Sequence, residues 1–288
     1  MLPEWKQPKF RDNMKRTSAY AEKSVIITGG ASGLGLELAK QLLNHGASVA
    51  ILDVDKAALE RLSSGPRQQN SRPLLLGCDV TDLHSLGNAV NAARETFGPI
   101  HYFFNNAGIG GTLPFTDATP EHWRRILDLN LMGVIHGTTL AFGLMKTQGY
   151  GHIINISSIA GLLPIPGQAL YNTTKYAVVG LTQSLQLELR PYGIRLSVVC
   201  PGAIATSIFY KPIIGKAAEP DPKRIPTEAI GPELAAKEIL SSVAKAKEII
   251  VLPFRDRMAY WIYKAAPHLL ACTFRKVNEK RRAHDTNQ

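Results

Sequence analysis

In the stretch YNTTK, residues 171–175, a tyrosine and a lysine stand four positions apart, just ahead of a strongly apolar segment. Four residues are about one helical turn, so Tyr171 and Lys175 share a face and their side chains are neighbours. The pair sets an ammonium beside a phenol. An ordinary tyrosine, with a pKa near about 10, is a poor base at neutral pH. A lysine charge held close in a partly dehydrated site is expected to bring the phenol down by about two to three units, toward the range useful for general acid–base chemistry. Two surface neighbours would show the same spacing, so the pair takes its meaning from the rest of the chain.

A second constellation lies in TGGASGLG, residues 28–35, between an apolar run and a helical pattern. Gly29, Gly33 and Gly35, interleaved with Ser32 and Leu34, permit a tight turn whose backbone N–H groups can approach a pyrophosphate at a helix N-terminus. The next apolar run ends in ILDVD and places Asp53 about 20 residues beyond that turn, where an acid would bind adenosine ribose hydroxyls. The competing reading is that Asp53 caps the following helix. A 2′-phosphate about 4 Å from this carboxylate would meet repulsion of about 4 kcal/mol per unit charge at an effective dielectric of about 20. Ser32 and Val54, where a basic residue could offset that repulsion, are neutral. The expected cofactor is therefore NAD, with NADP the weaker candidate.

These groups need a scaffold, and the apolar patterning supplies one. SVIIT (24–28), SVAIL (48–52), PLLLG (73–77), HYFFN (101–105), HIINI (152–156), RLSVV (195–199) and EIIVL (248–252) are short, nearly continuous apolar runs. Such runs suit strands buried on both faces. Between them lie helical patterns at Leu34–Leu43, Leu83–Phe97, His122–Leu144, Tyr171–Leu189 and Pro232–Ala244. The alternation predicts an α/β fold: a single Rossmann-type, doubly wound, seven-stranded parallel sheet with helices on both faces. A helical extension would follow at the C-terminus. The expected organisation is an N-terminal extension at 1–22, a catalytic domain at 23–254 and a basic, aromatic C-terminal extension at 255–288. Residues 203–230, with four prolines between Pro212 and Pro226, read as a substrate lid.

The formal charge of the 288-residue chain is +10. Met1–Lys23 holds six basic residues against three acids, and Arg255–Gln288 holds eight against three. The ends thus carry +3 and +5, and the body between them only +2. A basic groove along the body is not indicated, which argues against nucleic acid as a partner. Cys78, Cys200 and Cys272 are an odd number without metal-like spacing, so a reducing compartment without disulfides is expected. With no apolar run of about 18 residues and a polar N-terminus, neither a spanning helix nor a signal peptide is expected, and the expected location is cytoplasmic.

Taken together, the chain strongly resembles the short-chain dehydrogenase/reductase family over residues 23–252. The resemblance is carried by TGGASGLG, CDV at 78–80, NNAG at 105–108, LNLMG at 129–133, NISS at 155–158, YNTTK and PGAIAT at 201–206, in the family's order and spacing. It implies that Asp79 and Val80 hold the adenine ring, and that Asn105, Asn106, Ala107 and Gly108 shape the cofactor floor and central sheet. Pro201, Gly202, Ile204 and Thr206 would line the nicotinamide side. Asn130, Ser158, Tyr171 and Lys175 would form a catalytic tetrad, with Ser158 chosen over Ser157 because it lies 13 residues before Tyr171. In that scheme Tyr171 exchanges the alcohol proton and Ser158 holds the substrate oxygen. Lys175 also binds the nicotinamide ribose, and Asn130 positions a water leading to Lys175. No metal is called for, and His101, His122, His136 and His152 are expected to be structural or surface residues.

The resulting expectation is an NAD-dependent oxidoreductase of secondary alcohols or ketones, working as a homodimer or homotetramer. The alternatives are an NADPH-dependent 3-oxoacyl carrier-protein or carbonyl reductase and, in another class, a non-catalytic NAD(H)-sensing protein. Ile109, Leu113, Phe115, Ile208, Phe209, Tyr210, Ile213 and Ile214 suggest an apolar pocket for a steroid, retinoid or aromatic alcohol, with Ile109 and Phe209 in contact with substrate. The same residues would equally suit lid packing or an oligomer interface. Residues 255–282 combine aromatics with basic residues and are interrupted by Lys264, Pro267 and His268. They read either as a helix over the pocket or a neighbouring subunit, or as a weak peripheral membrane contact.

Overall fold

Each of the seven apolar runs becomes a strand in the computed structural model, which describes residues 19–64, 72–210, 213–214 and 222–268. The strands are β1 (Ser24–Thr28), β2 (Ser48–Asp53), β3 (Leu74–Gly77), β4 (Tyr102–Asn105), β5 (Gly151–Ile156), β6 (Ile194–Pro201) and β7 (Ile249–Leu252). They form one parallel sheet in the order β3-β2-β1-β4-β5-β6-β7. The order reverses between β1 and β4, and in such sheets ligands bind beyond the carboxyl ends of the strands at that point.

The helices are α1 (Gly33–Asn44), α2 (Lys56–Ser63), α3 (Leu83–Phe97), α4 (Pro120–Leu127), α5 (Gly133–Gln148), α6 (Ala169–Leu189), α7 (Pro232–Ala244) and α8 (Phe254–Ala265). Because side chains alternate along a strand, neighbouring residues serve opposite cores. Val25, Ile27, Val49 and Ile51 pack with Leu38 and Leu42 of α1 and Ile239 and Val243 of α7. Ile26, Ala50, Leu52 and Phe103 pack with Leu86 and Val90 of α3 and Ala141 and Met145 of α5. All of these side chains are buried, which is why the strands lack the alternating polarity of a one-sided sheet.

Local chemistry sets the ends of the helices that position the site. The Asp82 carboxylate accepts the N–H groups of His84 (2.9 Å) and Ser85 (3.3 Å) at the start of α3. The helix stops at Gly98, where φ is 74°. Pro232 at the first position of α7 follows Gly231.

Several elements differ from the sequence expectation. The helix expected over His122–Leu144 starts at Pro120, behind a Thr119–His122 capping box, and runs to Gln148. It is also widened into a π-turn at Asp128–Met132. By length and composition Pro120–Gln148 could cross a membrane, yet Ile126, Val134, Ala141 and Met145 are buried in the fold. Helix α2 was not foreseen. Only Ala58 and Leu59 of its eight residues are buried, too few to set a clear period. Helix α6 begins at Ala169, ahead of Tyr171. Tyr20, assigned to the N-terminal extension, is buried, and its hydroxyl donates to the Leu240 carbonyl at 2.7 Å. Residues 1–18 of that extension, 269–288 of the C-terminal one, and 211–212 and 215–221 of the lid lie outside the described residues. The two ends of the lid are tied together by a bridge between Ile204 and Ile230.

Candidate active site

A cleft of about 1080 Å³ opens above the carboxyl ends of the central strands. Its first wall is the glycine turn. Gly29 has φ of 61°, and a Cβ there would come within 2.7 Å of the Ala107 Cα, so the position requires glycine. Gly35 does not line the cleft, contrary to its expected place among the cofactor contacts. A Cβ on it would collide with the Gly29 carbonyl and the Asn106 amide, so its role is to let α1 sit close beneath the turn. Asn106 fastens that turn to β4, its Nδ2 donating to the carbonyls of Thr28 (3.0 Å) and Gly29 (2.9 Å). The Thr28 Oγ1 in turn accepts the N–H groups of Asn106 (3.0 Å) and Ala107 (3.1 Å). Gly29, Ser32, Gly33 and Leu34 all face the cleft. No side chain caps the start of α1 and no acid lies in its first turn, which leaves the helix N-terminus suited to an anion.

Asp53 stands at the end of β2 on the same wall. Its Oδ2 accepts the Ala31 N–H at 2.9 Å and its Oδ1 the Asp55 N–H at 3.0 Å, which fix the carboxylate beside the glycine turn. The cap of α2 is Asp55, accepting from Ala58 at 2.9 Å, so the helix-cap reading of Asp53 does not hold. Asp79 and Val80 continue the wall beyond β3, with Asp79 Oδ1 held by the Thr81 N–H (2.9 Å) and hydroxyl (2.7 Å). Ala107 and Gly108 lie on the floor, and Pro201, Gly202, Ile204 and Thr206 form the opposite side. Asn105 is buried below them, donating to Asn155 Oδ1 at 2.8 Å and Thr138 Oγ1 at 3.2 Å. Adenine-side and nicotinamide-side positions thus share one continuous cleft, and a dinucleotide fits its donor set: bare helix N–H groups, a fixed carboxylate and a floor with glycine at Gly108.

Ser158, Tyr171 and Lys175 come together in this cleft, while Asn130, the fourth expected member, does not line it and lies behind Gly108 of the floor. Asn130 is fully buried in the π-turn. Its amide clamps the backbone of Ile109, accepting the N–H at 2.8 Å and donating to the carbonyl at 2.9 Å. Ser158 Oγ accepts the Ala160 N–H at 3.1 Å, donates toward the Pro201 carbonyl at 3.4 Å and lies close enough to the Tyr171 phenol to lower its pKa. Ser157 turns its hydroxyl to the Lys175 carbonyl at 2.9 Å instead. Lys175 is buried, with Nζ donating to the Ile156 carbonyl at 3.0 Å and lying 5.5 Å from the centre of the Tyr171 ring.

The electrostatics depart from the expectation. Burial pushes the Tyr171 phenol up to about 12, against the lowering effect of the Ser158 hydrogen bond. Burial also brings Lys175 down to about 8 from its ordinary 10.5. The expected fall of the phenol under the lysine charge is therefore not met: desolvation is the largest cause of both shifts. The Cys200 thiol is pushed up to about 12 by burial.

Beyond the tetrad the cleft becomes apolar, walled by Ile109, Leu113, Ile208, Phe209, Tyr210, Ile213 and Ile214. Phe115 is not among them: it is 70% exposed and outside the wall. Sequence reasoning missed His122, Arg125 and Gln168 at this end, and Arg255 and Asp256 of α8 beside Gly202. His122 and Arg125, three apart on α4, were discoverable from helical spacing; nothing in the sequence places Asp256 against Gly202. Of the other histidines, His101 accepts the Ser24 N–H at 3.2 Å and His136 meets the Val80 carbonyl at 3.0 Å. His152 bonds Ser197 Oγ at 2.8 Å, its pKa driven down to about 3 by burial.

A family model described as short chain dehydrogenase matches residues 23–212. Among curated relatives, trans-4-hydroxycyclohexanecarboxylate dehydrogenase of Sinomonas cyclohexanicum is 40% identical over 200 residues, covering 67% of this chain and 77% of its own. A short chain dehydrogenase/reductase from Burkholderia phymatum, solved in complex with NAD, superposes with a TM-score of 0.78 at 27% identity, covering 88% of this chain and 96% of that one. A short chain dehydrogenase from Burkholderia cenocepacia, solved with NADP, gives a TM-score of 0.74 at 21% identity over 88% and 98% of the two chains, a likeness of fold.

Proposed function

The chain belongs to the short chain dehydrogenase family, whose oxidoreductases act on secondary alcohols and ketones, and from that premise we propose that it is an NAD-dependent enzyme acting on a lipophilic substrate of this class. The observation that carries the reading is the meeting of Tyr171, Ser158 and Lys175 in the same cleft as the glycine turn and a fixed Asp53.

Nicotinamide, when bound, supplies the hydride acceptor or donor. In this reading the Ser158 hydroxyl, already within reach of the Tyr171 phenol, holds the substrate oxygen. Tyr171 carries the proton. The phenol is protonated at neutral pH and so is in the form that can protonate a carbonyl oxygen during reduction. Oxidation requires the phenolate, which a protonated Lys175 close to the ring would favour as the site fills. Lys175 and the Asn130-clamped loop hold this end of the cleft in shape. The carboxylate of Asp53 favours NAD, since a 2′-phosphate beside it would be repelled. The apolar wall around Ile109 and Phe209 supports a substrate with substantial hydrocarbon surface.

A panel of cyclic and aromatic secondary alcohols and their ketones, assayed by NADH absorbance, tests the proposal. Turnover with NAD on at least one member, lost in Tyr171→Phe, is the expected result. A preference of the native protein for NADPH would refute the Asp53 argument, and retained turnover in the variant would refute the role of Tyr171.

A further inference from the structure

Helix α8 turns an apolar stripe away from the fold. Phe254, Met258, Trp261 and Ile262 follow one another at steps of four, three and one, which places them on one side of a helix. Their exposures are 64%, 43%, 55% and 47%. The opposite side is the one that holds α8 in place. Tyr260 packs against the cluster containing Val134, Val178 and Val251, and Asp256 lies against Gly202. Tyr260 and Tyr263 are also near Tyr176 of α6, whose phenol is pushed up to about 12 by burial and by these two neighbours. A docked surface helix ordinarily puts its large apolar residues inward. Here the docking face is taken up by tyrosines and an aspartate, and the larger apolar groups are left outside.

The exposed charges on α8 itself have one sign. The Arg257 guanidinium lies 5.0 Å over the Phe254 ring and the Lys264 ammonium 5.6 Å over the Trp261 ring. Arg255 is also exposed, while Asp256, the one acid on α8, is only 15% exposed and bonded to Arg255. The sequence that follows α8 continues this bias, with Arg275, Lys276, Lys280, Arg281 and Arg282 against Glu279 and Asp285.

We propose that this face of α8 docks on an anionic lipid bilayer, the helix lying in the interface with its aromatics at headgroup depth. Twelve residues span about 18 Å as a helix, too short to cross the hydrocarbon core, so the contact is peripheral. Exposed Trp and Phe flanked by Arg and Lys are the composition of an interfacial helix. A second copy of the chain fits the face less well. A two-fold contact presents the same patch from both sides, which would bring Arg257 and Lys264 toward their own counterparts with no exposed acid on the helix to receive them. The pocket-covering role considered from sequence is not open to this stripe, because it faces outward.

The test is co-sedimentation of the full chain with vesicles of phosphatidylcholine alone and of phosphatidylcholine with phosphatidylserine, at low and physiological salt. The expected result is at least tenfold tighter binding to the anionic vesicles, weakening as salt rises. Arg257→Gln with Lys264→Gln should lower the affinity at least fivefold, and Phe254→Gln with Trp261→Gln at least tenfold. None of these four residues lines the cleft, so melting temperature and alcohol turnover should stay at native values. Absence of binding at low salt would overturn the proposal. So would binding that both variants leave intact, because the contact would then lie elsewhere. A halved sedimentation mass in the Phe254/Trp261 variant without lipid would also overturn it, by assigning the face to a second copy.

Discussion

Replacing Lys175 by methionine should make the protein more stable at neutral pH while destroying its activity. The buried lysine titrates near about 8 in the folded chain and near 10.5 when exposed. At pH 7 it is protonated in both states, and the fold carries the cost of burying the charge. A depression of this size corresponds to about 3 kcal/mol. Methionine fills a similar volume without charge, but it leaves the Ile156 carbonyl without the Nζ–H bond, a loss of about 1 kcal/mol. The net expectation is about 2 kcal/mol of stabilisation at pH 7. Between pH 8 and 10.5 the unfolded chain binds the proton that the folded chain releases, so native stability rises with pH through this window. The advantage of the variant should shrink across it and reverse at about pH 9.5 to 10. Urea melts of both proteins at pH 7 and pH 10 read the difference directly, and all other titrations cancel in the comparison. A variant less stable than native at pH 7, or a difference that does not change with pH, would show that Lys175 is not buried as a charge.

In Tyr171→Phe, NADH affinity should stay within a fewfold of native while turnover falls by about two to four orders of magnitude, measured by cofactor fluorescence and steady-state rates. Alcohol oxidation by the native enzyme should rise with pH through the alkaline range, because the working form of Tyr171 is the phenolate and burial holds its pKa high; a flat profile from pH 7 to 10 would contradict this. Asp53→Ser should lower the ratio of NAD to NADP kcat/KM at least tenfold, an effect of about 1.4 kcal/mol. Asp55→Ala should cost about 1 kcal/mol in a denaturant melt through loss of the α2 cap and leave that ratio unchanged.

The strands were legible because a sheet covered on both faces writes itself as unbroken apolar runs. Glycines and the carboxylate of Asp53 were legible because their spacing follows from the reach of a dinucleotide. What the sequence concealed has a physical pattern too. The π-turn at Asp128–Met132 changes which carbonyl an N–H meets, and side-chain periodicity barely registers that. The order of the Tyr171 and Lys175 pKa shifts depends on how much water the fold removes, and spacing along the chain does not report it. Asp256 reaches the cleft wall from a helix far along the chain, through packing against Gly202 that neither local pattern foreshadows.

The strand order bears on how the chain can assemble as it leaves the ribosome. β2 adds beside β1 and β3 beside β2; β4 then takes the free side of β1, and β5, β6 and β7 follow outward in turn. Every strand, as it emerges, meets an edge that is already built, and none has to be inserted between two earlier ones. The sheet can therefore grow in the order of synthesis, with hydrogen bonds made once and never reopened. The corresponding hazard is an uncovered growing edge at every stage, most serious after β4 or β5, when the newest edge is apolar on both faces and its covering helix is still to be made.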